Sequence, residues 1–216
     1  MWVKICGTTN LSDALLAVGA GADAVGFVFG PSKRQVTTEQ AGKITRELPA
    51  RIEKIGVLVN ESPERIEEIV QTAGLTGVQL QGDESPELVA ELRRLNLRFL
   101  AKTIHAMADP EKLAQTISKY SGFVDTVLLD SGNPAERGGT GKRFDWEIAG
   151  RELAKVSGVR VIVAGGLNVG NVGDAIAMLR PWGVDVVTGV ESEPGKKDPE
   201  KVRAFIAAAR AAASER

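Results

Sequence analysis

The 216-residue sequence has a single cysteine, so no disulfide can form within the chain. That absence suits a reducing compartment, and the cytoplasm is the expected location. It also lacks an excess of either charge: 27 Lys and Arg face 28 Asp and Glu, a formal net charge of −1. Neither nucleic acid nor an anionic membrane is therefore an expected partner, and any bound anion must be held by local groups. No apolar run reaches membrane-spanning length. The opening MWVKICG alternates like a strand and carries no basic segment followed by an apolar stretch, so neither export nor insertion is expected. No linker-like segment interrupts the chain, and residues 1–216 read as one catalytic domain, a stand-alone enzyme.

What is present is a regular alternation. Hydrophobic residues make up 43% and charged residues 25%, a globular balance that opposes disorder and fibrous repeats. Eight short β-branched runs recur: VKIC, AVGFVF, KIGVLV, GVQL, RFLAKTI, VDTVLLD, VRVIVAG and VDVVTG. Helical patterns separate them, among them LSDALLAVGA, PERIEEIVQTA and DPEKVRAFIAAARAAA, and the stretches around 109–119 and 144–156 are helix-compatible too. Asn10, with Asp13 three residues on, and Ser62 followed by Pro63 mark helix starts. Strands alternating with helices imply parallel βαβ units, and eight of them predict an α/β fold, a (β/α)8 TIM barrel of the phosphate-binding type. A flavodoxin-like open sheet is the alternative architecture.

In such a barrel the chemistry belongs to the loops after each strand's C-terminal end. That rule selects Cys6 after strand one, Arg34 after strand two, Gln81 after strand four, Asp130 after strand six, and the glycine turns AGG (164–166) and TGV (188–190) after strands seven and eight. Gly165, Gly166 and Gly189 allow backbone N–H groups to approach an anion, and loops seven and eight are a recurrent phosphate site in barrels. Asn168 is expected to cap the following helix, and VESEPG to open a short extra one. A small phosphorylated substrate is the expected partner.

Cys6 and Lys4 share one strand face, and a cation beside the thiol would ease its ionisation and its use as a base. Asp130 precedes a Gly- and Pro-bearing segment at 131–143, of a kind that often forms a lid, and whether it closes over substrate or stays open is left undecided by the sequence. Arg34 carries the planar donor fork that suits a carboxylate. Each residue also has a bland reading: a small buried hydrophobe for Cys6, a turn or cap for Asp130, a solvated arginine for Arg34, and glycines that serve only sharp turns. His105, just beyond strand five, reads equally as a surface residue.

Taken together, KICG at 4–7, GFVF at 26–29, SKR at 32–34, LLD at 128–130, GGTGKRFDW at 138–146, AGGLN at 164–168 and GVESEPGKKD at 189–198 resemble the phosphoribosylanthranilate isomerases of tryptophan biosynthesis. The resemblance runs from end to end. It implies an Amadori rearrangement of N-(5-phosphoribosyl)anthranilate to 1-(2-carboxyphenylamino)-1-deoxyribulose 5-phosphate, with no metal or organic cofactor. It casts Asp130 as the general acid, Cys6 as the base, Arg34 as the partner of the anthranilate carboxylate, and Gly165, Gly166, Thr188 and Gly189 as the phosphate site. Two positions depart from the family pattern. Gln81 stands where histidine is usual, so it can hydrogen-bond substrate but cannot titrate. Val187 and Thr188 replace a serine pair, and only Thr188 keeps a hydroxyl. A monomer or a homodimer is expected. Two other readings stay open: a related sugar-phosphate isomerase, and a catalytically silent barrel that binds a phosphorylated metabolite.

Overall fold

The computed structural model describes residues 1–106, 109–131 and 145–214. Among them, eight parallel strands close a barrel in chain order: β1 (Trp2–Ile5), β2 (Ala24–Val28), β3 (Glu53–Leu58), β4 (Gly77–Leu80), β5 (Phe99–His105), β6 (Thr126–Asp130), β7 (Arg160–Val163) and β8 (Gly183–Val186). Trp2 to Ile5 pair with Gly183 to Val186, which joins the first strand to the last and rules out an open sheet. Eight α-helices follow the strands: α1 (Leu11–Gly19), α2 (Thr38–Thr45), α3 (Pro63–Thr72), α4 (Pro86–Leu92), α5 (Leu113–Tyr120), α6 (Trp146–Leu153), α7 (Val172–Leu179) and α8 (Pro199–Ser214).

The two-residue period of the strands sorts their side chains. On β1, Val3 and Ile5 point outward into a layer shared with the helices, where they meet residues such as Ala14 and Ala17 of α1 and Phe205 of α8, all fully buried. Each large apolar side chain buried in this layer contributes about 1.5–3 kcal/mol. The alternate residues Trp2, Lys4 and Cys6 face the barrel interior. There Trp2 stacks on Phe99 and Trp182, with ring centroids 5.4 and 5.2 Å apart, and closes the base. Ala24, Ile55, Ala101, Leu128 and Ile162 fill the interior with apolar side chains. Because the outer layer supplies most of the apolar burial, the upper interior can hold polar side chains.

Helix starts follow the sequence signals in two places and depart from them in two. The Asn10 side chain accepts from the Asp13 N–H at 2.9 Å, and the Ser62 hydroxyl accepts from the Arg65 N–H at 3.3 Å ahead of Pro63. Asn168, however, does not cap α7, whose N-cap is Asn171. Its side chain instead accepts from Gly170 N–H within a tight turn, and Asn171 reaches back to the Gly166 carbonyl. Nor does VESEPG open a helix: residues 191–197 form an antiparallel hairpin, β9 (Glu191–Glu193) with β10 (Lys196–Lys197), turning through Gly195 at φ +85°. Glycine tolerates that backbone, and the lysine and glutamate flanks pair across it. Among the described residues, no helix is long and apolar enough to cross a membrane.

Candidate active site

The strands end around a cavity of about 380 Å³. Cys6, Arg34, Gln81, Asp130, Gly165, Gly166 and Thr188, selected from sequence in the loops that follow the strands, all line it. Gly189 lies just behind, bridged to Asn168 of the neighbouring turn. The candidate lid segment at 131–143 and most of GGTGKRFDW fall on 132–144, outside the described residues.

Cys6 is buried at the end of β1, and Gly26 on β2 makes room for it: a Cβ there would lie 2.5 Å from the thiol sulfur. Below it the Lys4 ammonium donates to Asp185 of β8 at 2.8 Å, with both side chains almost wholly enclosed. The sequence expectation of an eased Cys6 ionisation is not met. Burial pushes the Cys6 thiol up, and the Lys4 charge opposes this without overcoming it, because Asp185 adds a counteracting negative charge. Burial also raises the Asp185 carboxyl, against the pull of Lys4.

Asp130 ends β6 and lines the same cavity. Its Oδ2 accepts from the Gln81 Nε2 at 3.1 Å. The Gln81 carbonyl oxygen in turn accepts from Gln79 Nε2 at 2.7 Å and from the Thr103 hydroxyl at 2.8 Å. A buried amide whose oxygen is doubly occupied has one orientation open to it, so Gln81 offers its N–H to the acid.

Arg34 reaches the cavity edge, but Glu191 holds its fork: Nε donates to Oε1 at 2.8 Å and one terminal nitrogen to Oε2 at 2.6 Å. Glu191 also accepts from Lys197 Nζ at 3.1 Å, and the same ammonium donates to the Cys6 carbonyl at 2.6 Å. Burial alone would raise the Glu191 carboxyl; hydrogen bonds from Arg34 and Lys197 hold it below the usual range instead. Burial lowers Lys197, with Glu191 working against it. The β9–β10 hairpin thus clamps the ends of β1 and β2 from above.

The glycine turns are shaped by each other. Gly165 has φ +80° and abuts Ser131, and a Cβ on Gly189 would overlap the Leu167 carbonyl oxygen. Close packing of loops therefore demands glycine at both positions, whatever they bind. The turn after β8 ties the Val190 and Glu191 N–H groups back to Val187 and Thr188. Those bonds use neither the Thr188 nor the Gly189 N–H. Among the described residues no group of three or more His, Cys, Asp or Glu side chains is placed to hold a metal ion.

Residues 3–208 match the family model described as N-(5'phosphoribosyl)anthranilate (PRA) isomerase. The chain belongs to the N-(5'-phosphoribosyl)anthranilate isomerase family. The N-(5'-phosphoribosyl)anthranilate isomerase of Pelobacter propionicus is 46% identical over 214 residues, spanning 99% of this chain and 97% of that one. The phosphoribosyl anthranilate isomerase of Thermotoga maritima superposes with a TM-score of 0.85 at 40% identity, over 98% of this chain and 99% of that one. A phosphoribosyl anthranilate isomerase in complex with reduced 1-(o-carboxyphenylamino)-1-deoxyribulose 5-phosphate does so at 0.84 and 38% identity, over 98% and 99%. The chain is thus an isomerase of the phosphoribosylanthranilate family, and its closed barrel is that family's fold.

Four residues of the site escaped the strand-end rule: Gln79, Thr103, Asp185 and Glu191. The first three sit one alternation below the mouth, inside strands. A polar or charged residue within an apolar β run, as in VDVV or GVQL, is their sequence signal, because burying one requires a partner. Glu191 and Lys197 gave no comparable signal, since a glutamate and a lysine near a turn are ordinarily solvated.

Proposed function

We propose that this cavity converts N-(5'-phosphoribosyl)anthranilate to 1-(o-carboxyphenylamino)-1-deoxyribulose 5-phosphate, with Asp130 as acid and Cys6 as base. The observation that carries the reading is the convergence of Cys6, Asp130 and both glycine turns on one 380 Å³ cavity, with Arg34 at its rim. Backbone N–H groups at Gly165–Gly166 and Thr188–Gly189, with the Thr188 hydroxyl, hold the phosphate. The guanidinium edge of Arg34 that Glu191 leaves open meets the anthranilate carboxylate. Anchored at both ends, the ribose lies between acid and base.

Asp130 then gives its proton to the ring oxygen as the C1'–O bond breaks, and nitrogen's lone pair forms the C=N bond of a cationic Schiff base. The cation makes the C2' hydrogen acidic. Cys6 takes that proton, and the C–H pair becomes the C1'=C2' bond of an enolamine, which tautomerises to the keto product. The transient cation also favours thiolate beside it, offsetting the burial that pushes the Cys6 thiol up. Residues 1–216 act as one catalytic unit, as a monomer or homodimer, in the cytoplasm, where reducing conditions preserve the Cys6 thiol.

The test is to generate the substrate in situ and follow loss of its fluorescence on adding the protein. Decay faster than the uncatalysed rate is expected, and decay at that rate sinks the proposal. Cys6→Ala and Asp130→Ala should each lower kcat by at least about 100-fold while circular dichroism stays that of the parent. Light scattering decides between monomer and homodimer.

A further inference from the structure

Gln79, on β4, is 4% exposed and lines the cavity. Its amide nitrogen is fully committed, donating to the Gln81 oxygen at 2.7 Å and to the Thr103 hydroxyl at 3.3 Å. Its amide oxygen is buried and, among the described residues, has no hydrogen-bond partner. Buried carbonyl oxygens are seldom left so, and one in the wall of a ligand cavity marks a place where the ligand supplies the donor.

The orientation of this amide is dictated from a distance. Gln81 donates its nitrogen to the Asp130 Oδ2, which turns its oxygen inward. Gln79 and Thr103 must then donate to that oxygen. Rotating the Gln79 amide would set its oxygen against that of Gln81. The leftover acceptor is therefore fixed for as long as Gln81 keeps its hydrogen bond to Asp130.

We infer that Gln79 is a substrate-binding residue whose amide oxygen accepts a hydrogen bond from one hydroxyl of the substrate's pentose chain. This rests on the proposed reading of the cavity. It makes Gln79 a reader of the sugar, distinct from the groups that hold the phosphate and the aromatic carboxylate. Gln81, held by Asp130, then serves as the positioning residue that keeps the acceptor facing substrate.

The experiment measures calorimetric binding of reduced 1-(o-carboxyphenylamino)-1-deoxyribulose 5-phosphate and of its forms lacking one pentose hydroxyl each. Gln79→Met preserves volume but removes the acceptor, and should weaken binding of the parent ligand about tenfold, the worth of one net hydrogen bond. One deoxy ligand should bind about tenfold more weakly than the parent to the wild type and within about twofold of it to Gln79→Met. Thr103→Val, which leaves the Gln79 oxygen in place, should keep the hydroxyl preference. If Gln79→Met does not fold, Gln79→Ser carries the same expectations. Equal binding by wild type and the Gln79 variant, or an equal loss for every deoxy ligand on both proteins, overturns the inference and assigns the oxygen to an ordered water. Loss of the preference in Thr103→Val overturns it as well, by assigning the effect to Gln81. A wild type that binds none of these ligands refutes the proposed function instead.

Discussion

In the proposed reaction Cys6 loses a proton in surroundings that favour keeping it. Its thiol lies above the ordinary value of about 8.5 because it is buried, and Lys4 only moderates the effect. The thiolate fraction of the free enzyme, and with it kcat/KM, should climb with pH beyond the range of an ordinary thiol. Lys4→Met removes the opposing cation and should move that climb to still higher pH. A pH–rate profile unmoved by the substitution would show that Lys4 does not govern the base. Arg34 raises a parallel point about single residues. Its fork is held by Glu191, so the same guanidinium is both a structural tie and a free edge, and neither role could be assigned from its residue type.

At the scale of elements, the glycine turns after β7 and β8 and the β9–β10 hairpin make separate demands. Gly189→Ala would drive a methyl group into the Leu167 carbonyl and separate the turns after β7 and β8. A rise in KM of at least about tenfold is expected, with destabilisation of roughly 1–3 kcal/mol from the forced backbone shift; unchanged KM and melting temperature would contradict this packing. The hairpin depends on Glu191, whose folded-state carboxyl is held below its unfolded value. Its contribution is therefore present above the ordinary glutamate value of about 4.3 and is lost as pH falls through the lower folded value. Glu191→Gln should cost roughly 2 kcal/mol at pH 7, the scale of charge-assisted hydrogen bonds. Urea unfolding at acid pH should show that gap closing; a gap independent of pH would mean the charge is not what matters.

The whole molecule depends on closure between β1 and β8, where the Lys4–Asp185 pair joins residues 181 apart in sequence. Both groups have left water, so the pair need not add net stability, but removing one partner leaves an uncompensated buried charge. Lys4→Met should therefore destabilise the barrel by about 3–5 kcal/mol, and Lys4→Met with Asp185→Leu should recover most of it. Denaturant titration of the three proteins checks this. Additive losses in the double variant would show that the two residues are not coupled. Activity should not return with stability, since the pair also sets the charge beneath Cys6.

The sequence by itself determined the barrel and the rim of its site. Period-two runs and helical stripes are local signals, and in a (β/α)8 barrel the C-terminal ends of strands converge, so Cys6, Gln81, Asp130 and the glycine turns could be named before any coordinates. Helix starts at Asn10 and Ser62 were legible for the same reason, because a cap acts within one turn. What lay beyond the reach of local pattern was decided by contacts between distant strands and loops. Asn171 rather than Asn168 takes the N-cap position of α7 because Asn168 is used in the turn after β7. Residues 191–197 form a hairpin because Glu191 and Lys197 are drawn in by Arg34 and the Cys6 carbonyl. Only the closed barrel sets Asp185 against Lys4 and turns Gln79 so that its oxygen faces no donor among the described residues. Charge balance and hydrogen-bond direction in a buried interior depend on which side chains meet there, and that is a property of the tertiary structure.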